Sequence, residues 1–137
     1  MPFVHIRIAG RDIRPEQIRR LQEGATQLMA TLMRKNAELT AVLVEEAEAG
    51  AWSIAGRAVT DAAHLDVKVT RGTNTAEEKA QFIAAANALL REVLAVDLPV
   101  ATYVVIDEVP ADAWGYDGRT QHGRHAASLQ PAGLGPA

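Results

Sequence analysis

The feature that most constrains this chain is that it repeats itself. Sliding the 137-residue sequence by 62 positions, without a gap, brings Gly10 onto Gly72, Glu16 onto Glu78, Leu28 onto Leu90, Leu32 onto Leu94, Thr40 onto Thr102, Val42 onto Val104 and Glu46 onto Glu108. The same shift brings Ala51 onto Ala113, Trp52 onto Trp114, Gly56 onto Gly118 and Arg57 onto Arg119. The chain has 2 tryptophans, and the shift superposes them. Before Gly10 the register moves by one, so Val4, Ile6 and Ile8 answer to Leu65, Val67 and Val69. One supersecondary unit, used twice, therefore accounts for most of the chain.

The unit reads as strand, helix, strand. Phe3–Ala9 alternates, with Val4, Ile6 and Ile8 on one face and Phe3, His5 and Arg7 on the other. Pro15 suits the first position of a helix. Ile18, Leu21, Ala25, Leu28 and Leu32 then recur at spacings of three and four, the apolar stripe of an amphipathic helix that Arg34-Lys35 close. Leu39–Glu46 is β-rich and nearly continuously apolar, which predicts a strand buried on both faces. Gly50–Arg57 follows as a loop or short hairpin. The second copy has a strand at His64–Thr70 and a capping box at Thr75-Ala76-Glu77-Glu78. Its helix runs to about Val96 with Ile83, Ala86, Leu90, Val93 and Leu94 inward, and its closing strand is Thr102–Glu108.

The expected fold is α/β: two tandem βαβ units forming a four-stranded mixed sheet with two helices on one face. Residues 1–60 make the first half and 61–120 the second. The stretch 121–137 is small, polar and Pro/Gly-rich, and is expected to be a disordered tail. His122 and His125 in it have a spacing that could hold a metal, but without further ligands no metal site is expected.

Composition excludes several classes. A net charge of −3 argues against a nucleic-acid partner. The absence of cysteine excludes disulfides and a thiol nucleophile. No run approaches the ~18 apolar residues of a membrane span, and no signal peptide is visible, so a cytoplasmic protein is expected.

The chemistry-bearing feature is the second residue. If Met1 is removed, Pro2 becomes a free secondary amine on a rigid strand. An α-amino group titrates around ~7.7–8.0, the range that a general base needs. A nearby cation or an apolar wall lowers that value; Arg11, at the end of the same strand, is a candidate for that cation and for a carboxylate ligand. Proline is also an ordinary strand opener.

Taken together, the N-terminal proline, the βαβ units, Gly10-Arg11 after the first strand and the aromatic-x-x-x-Gly loops (Trp52 to Gly56, Trp114 to Gly118) resemble the 4-oxalocrotonate tautomerase family. The doubled length resembles its fused members. The resemblance implies an isomerase without a cofactor, in which Pro2 moves a proton between carbon and oxygen of a small carboxylate-bearing enol. Its single-unit enzymes are hexamers, so a fused chain is expected as a homotrimer.

By the same resemblance Arg11 binds substrate carboxylate, and Trp52 and Trp114 form apolar walls. The family's second arginine is missing, its positions being Leu43 and Val105. Thr73 stands where Arg11 would repeat, and Arg71 is the chosen carboxylate ligand opposite Pro2. The resemblance leaves a hydratase or dehalogenase open, with Asp117 activating water beside Tyr116 or Tyr103. A non-catalytic ferredoxin-like binding module is a third reading.

Overall fold

The computed structural model describes residues 2–10, 12–94 and 97–128. Strand β1 is Phe3–Ala9, and its burial alternates as the sequence does, with Val4, Ile6 and Ile8 fully buried. Helix α1 is Pro15–Thr31. The Arg14 N–H donates to Gln17 Oε1 at 2.8 Å, and the Gln17 amide donates to the Val93 carbonyl at 3.2 Å. This buried polar side chain is thus satisfied at both ends. Arg34, in the left-handed region at φ +56, turns the chain after α1, and the Lys35 N–H closes onto the Met29 carbonyl at 3.0 Å. A short 3₁₀ turn, Ala37–Leu39, leads into β2, Ala41–Glu46.

The second copy has the same order: β5 at Ala62–Thr70, α2 at Ala76–Leu94 and β6 at Tyr103–Val109. Each βαβ ends in a two-stranded hairpin. The first is β3 (Ser53–Ile54) with β4 (Arg57–Ala58), and the second is β7 (Gly115–Tyr116) with β8 (Arg119–Thr120). The main sheet has the order β2-β1-β5-β6. Within each half the pairing is parallel; β1 and β5 join the halves antiparallel. Both helices lie over the face that carries Val4, Ile6, Ile8, Leu65, Val67 and Val69, and the core is shared between the halves.

Four expectations need correction. The inner line of α1 is Gln17, Leu21, Ala25 and Met29, continued by Met33, while Ile18, Leu28 and Leu32 are only half buried. The helix wedges between sheet and neighbouring helix, so its most buried line is one i, i+4 row rather than a broad stripe. In α2 Phe82 is fully buried and Ile83 is 41% exposed, because the helix turns Phe82 to the sheet. Strand β2 is not covered on both faces: it is an edge strand, and alternate residues Ala41, Leu43 and Glu45 are exposed. Gln121–Ser128, expected to be disordered, forms helix α3. The Gln121 and His122 N–H groups donate to the carbonyls of Trp114 and Ala111, each at 2.9 Å, which docks its first turn on the second hairpin. The rest of the expected tail, 129–137, lies outside the described residues.

The capping box holds. Thr75 Oγ1 accepts from the Glu78 N–H at 3.1 Å, and Glu78 Oε1 accepts from the Thr75 N–H at 2.8 Å. Glu78 also takes the Arg34 guanidinium at 2.7 Å, a link between the two halves. That hydrogen bond, then the Thr75 backbone, holds its carboxyl at about 2, against an ordinary 4.5.

Two outcomes follow. Phe82→Ala should lower unfolding free energy by about 3–5 kcal/mol, as large core truncations do, while Ile83→Ala should cost less than about 1 kcal/mol; urea unfolding measures both, and equal losses would contradict this helix orientation. For Glu78 the folded value is depressed, so its contribution is present above the ordinary carboxyl value and lost as pH falls towards about 2. Melting of Glu78→Gln should therefore start lower at neutral pH and fall less steeply between 4.5 and about 2 than melting of the parent.

Candidate active site

The antiparallel β1–β5 pairing decides what surrounds Pro2. Phe3 pairs with Lys68 and Val4 with Val67, so Pro2 comes level with Val69 near the end of β5. The Pro2 ring is fully buried, and its carbonyl accepts from the Ala41 N–H at 3.3 Å. Beyond Val69 lie Thr70 and Arg71. The Arg71 N–H donates to the Val109 carbonyl at 2.9 Å, so the ends of β5 and β6 stay together. The Trp114 indole donates to Thr70 Oγ1 at 3.1 Å. Pro2, Arg71 and Trp114 thus share one end of the sheet.

The second hairpin is firmly held. Asp117 and Gly118 have φ of +50 and +76, the two left-handed positions of a type I′ turn. A Cβ on Gly115 would lie 1.8 Å from the Arg119 carbonyl oxygen, so only glycine fits there. From α3, the Arg124 guanidinium sits 3.8 Å from the centre of the Tyr116 ring and donates to the Tyr116 carbonyl at 2.9 Å. Beside Arg71, Glu108 takes the Lys79 ammonium at 3.0 Å, which holds its carboxyl below the usual range.

The other proposed residues separate. Strand β1 spans roughly 20 Å at about 3.3 Å per residue, so its Gly10 end is remote from Pro2. The Trp52 hairpin lies at that remote end, since Trp52 lines a cavity with Arg7 and His64. Arg11 itself lies outside the described residues. Asp117 is exposed at its turn and Tyr116 is stacked under Arg124, whereas Tyr103 begins β6 at the opposite end. Tyr103 is thus apart from Asp117, whereas Asp117 and Tyr116 share the second hairpin at the Pro2 end.

Three residues at the Pro2 end escaped sequence reasoning in these roles. Thr70 answers to Ala9 in the first copy, and that added hydroxyl was the only available signal. Lys68, paired with Phe3, is the cation closest in register to Pro2. Arg124 belongs to a helix with no apolar period to announce it.

The sheet face away from the helices carries its residues in rows. One row is Leu43, His5, Asp66 and Val105; the next is Glu45, Arg7, His64 and Tyr103. His5 Nε2 bonds Glu45, His64 Nε2 lies 3.3 Å from Asp66, and Arg7 Nε lies 3.8 Å from Glu45. These polar residues thus pair partly with one another within the chain. Among the described residues no three His or acidic side chains group as a metal site, and no helix is long and apolar enough to cross a membrane.

Comparison with known proteins agrees with this architecture. The probable tautomerase K2 of Dickeya dadantii (strain 3937) is 41% identical over 61 residues, which are 44% of this chain and 91% of that protein. Among solved structures, a fused 4-OT, wild type, as a symmetric trimer superposes with a TM-score of 0.79 at 20% identity, over 88% of this chain and 96% of the other. Pt0534 inactivated by 2-oxo-3-pentynoate superposes with a TM-score of 0.81 at 19% identity, over 89% and 98%. At these identities the structures establish the fold alone. The family described as tautomerase enzyme matches twice, over residues 2–62 and 64–122, one match for each βαβ copy. On these matches, the chain belongs to the tautomerase family.

Proposed function

We propose that this protein is an isomerase that moves a proton between oxygen and carbon of a small carboxylate-bearing enol or unsaturated acid, with the Pro2 nitrogen as base and then acid. The supporting observation is position: Pro2 is buried at the head of a central strand, at the same sheet end as Trp114 and Arg71. With Met1 removed, its amine is close to neutral at working pH, and burial and nearby cations favour the neutral form further.

The nitrogen takes the enol hydroxyl proton. The electron pair moves through the double bonds, and the resulting pyrrolidinium returns one proton to carbon, so nothing else is consumed. Arg71, with Lys68 level with Phe3, offers the substrate carboxylate a positive end. Trp114, fixed through Thr70, closes an apolar side that keeps water from the amine.

Arg71 is the carboxylate ligand expected opposite Pro2, and the antiparallel pairing that sets the end of β5 beside Pro2 supports it. Proton transfer is favoured over water addition, because Tyr103 stands at the far end of the sheet from Asp117 and the Tyr116 ring is stacked under Arg124. Leu43 and Val105 occupy one row where the family carries arginine, which favours a monocarboxylate. Both are exposed in the single chain, at 44% and 42%, beside Phe3 at 37% and Tyr103 at 65%. Exposed apolar side chains set among polar ones on this sheet face support a homotrimer that covers it, the assembly of the fused 4-OT above.

Intact mass should show loss of Met1. Pro2→Ala should slow ketonisation of a small enol acid by about 10²–10⁴-fold with the fold unchanged. Arg71→Gln should raise KM more than it lowers kcat. 2-Oxo-3-pentynoate should label the N-terminal peptide of the parent and not that of Pro2→Ala; undiminished activity in Pro2→Ala would sink the reading. Leu43→Glu should reduce the trimer to smaller species in sedimentation, and an unchanged mass would place the subunit contact elsewhere.

A further inference from the structure

The two copies part company at the end of β5. Thr70 answers to Ala9 and Gly72 to Gly10, so Arg71 is an inserted residue with no counterpart in the first copy. Lys79 stands where the first copy has Gln17, and Glu108 stands where it has Glu46. The carboxylate is thus common to both copies, and the two cations beside it belong to the second alone. We propose, on the reading of Arg71 as the substrate's carboxylate ligand, that Lys79 is a positioning residue, which engages Glu108 so that Arg71 stays open to substrate.

The three groups come together on the helix side of the sheet, away from the face proposed to be covered in a trimer. Glu108 pairs with Val69, which is fully buried under the helices. The Arg71 N–H carries the ladder one step past β5 to the Val109 carbonyl at 2.9 Å, so Arg71 follows two places after Val69 on the same side. From α2 the Lys79 ammonium reaches Glu108 Oε1 at 3.0 Å, with the two side chains only 28% and 29% exposed. Lys79, through its hydrogen bond and its charge, holds the Glu108 carboxyl below the ordinary range, and the Gly72 N–H and the Arg71 charge add to this. Among the described residues no hydrogen bond or ion pair engages the Arg71 guanidinium.

Lys79 is the fourth residue of α2, where a cation opposes the helix dipole and acidic residues such as Glu77 and Glu78 are favoured. Its place there is explained by Glu108 rather than by the helix. Without Lys79, Glu108 is a carboxylate beside a free guanidinium, and the two make the pair that Arg71 otherwise offers to substrate. With Lys79 present, two cations and one carboxylate leave one net positive charge, and it is that of Arg71.

The full chain in its native assembly provides the test, with the enol of phenylpyruvate as substrate and the enol of its methyl ester as the neutral counterpart. Lys79→Met should raise KM for the acid by about tenfold, change kcat by less than about twofold and leave the ester unaffected. Adding Glu108→Gln to Lys79→Met should bring KM back to within about threefold of the parent, because the competing carboxylate is gone. Glu108→Gln alone should not raise KM. A pair that merely held the fold would be harmed by either change and by both together, and would slow acid and ester alike; that result would overturn the proposal. Arg71→Gln separates the two readings. If it raises KM while Lys79→Met does not, or if the added Glu108→Gln restores nothing, the role of Lys79 falls and that of Arg71 stands. If Arg71→Gln leaves KM unchanged, both fall.

Discussion

The antiparallel pairing of β1 with β5 is the constraint on which the rest of the molecule depends. Each half alone is a two-stranded parallel ribbon with one helix, too small to bury its apolar face. Joined through β1 and β5, the halves make a four-stranded sheet whose inward residues, Val4, Ile6, Ile8, Leu65, Val67 and Val69 among them, meet both helices in one core. The same pairing runs the copies head to tail. It therefore sends their hairpins to opposite ends of the sheet, and brings the second copy's strand end to the first copy's start.

That geometry explains why two nearly equivalent tryptophans have unlike surroundings. Trp114 reaches the Pro2 end, where a threonine hydroxyl holds its indole and α3 clamps its hairpin. Trp52 reaches the other end, over a cluster of imidazoles, carboxylates and a guanidinium. A single unit assembling with itself would make both ends alike. Fusion allows one chain to keep the proline at one end and to change the residues at the other independently.

The open sheet face is mixed in character. Its apolar residues are Phe3, Leu43, Tyr103 and Val105, and its charged ones pair along and across the strands. In the exposed state such pairs are worth little, since water screens them. Covered by another chain, the same groups need partners, and those partners are already set beside them by register. The inter-half link from Arg34 to Glu78 is of another kind, because it also completes a helix cap.

Much of this was legible in the chain itself. Alternation in Phe3–Ala9 and His64–Thr70, the Thr75–Glu78 cap and the matched Trp-x-x-x-Gly loops fixed the element order, and the doubled pattern carried the duplication. Helix faces were legible only to within one residue: Phe82 rather than Ile83 points inward, because a helix packed on both a sheet and a helix rotates to satisfy two neighbours. Helix α3 was missed because its stability comes from docking onto the hairpin rather than from an apolar stripe. By itself the sequence determined the strands and helices of the two βαβ copies and put a proline at position 2, since these follow from local pattern and covalent order. Only the tertiary structure decided that Trp114 and Thr70, and not Trp52, lie at the Pro2 end of the sheet, because strand direction, not distance along the chain, sets which ends of a sheet coincide.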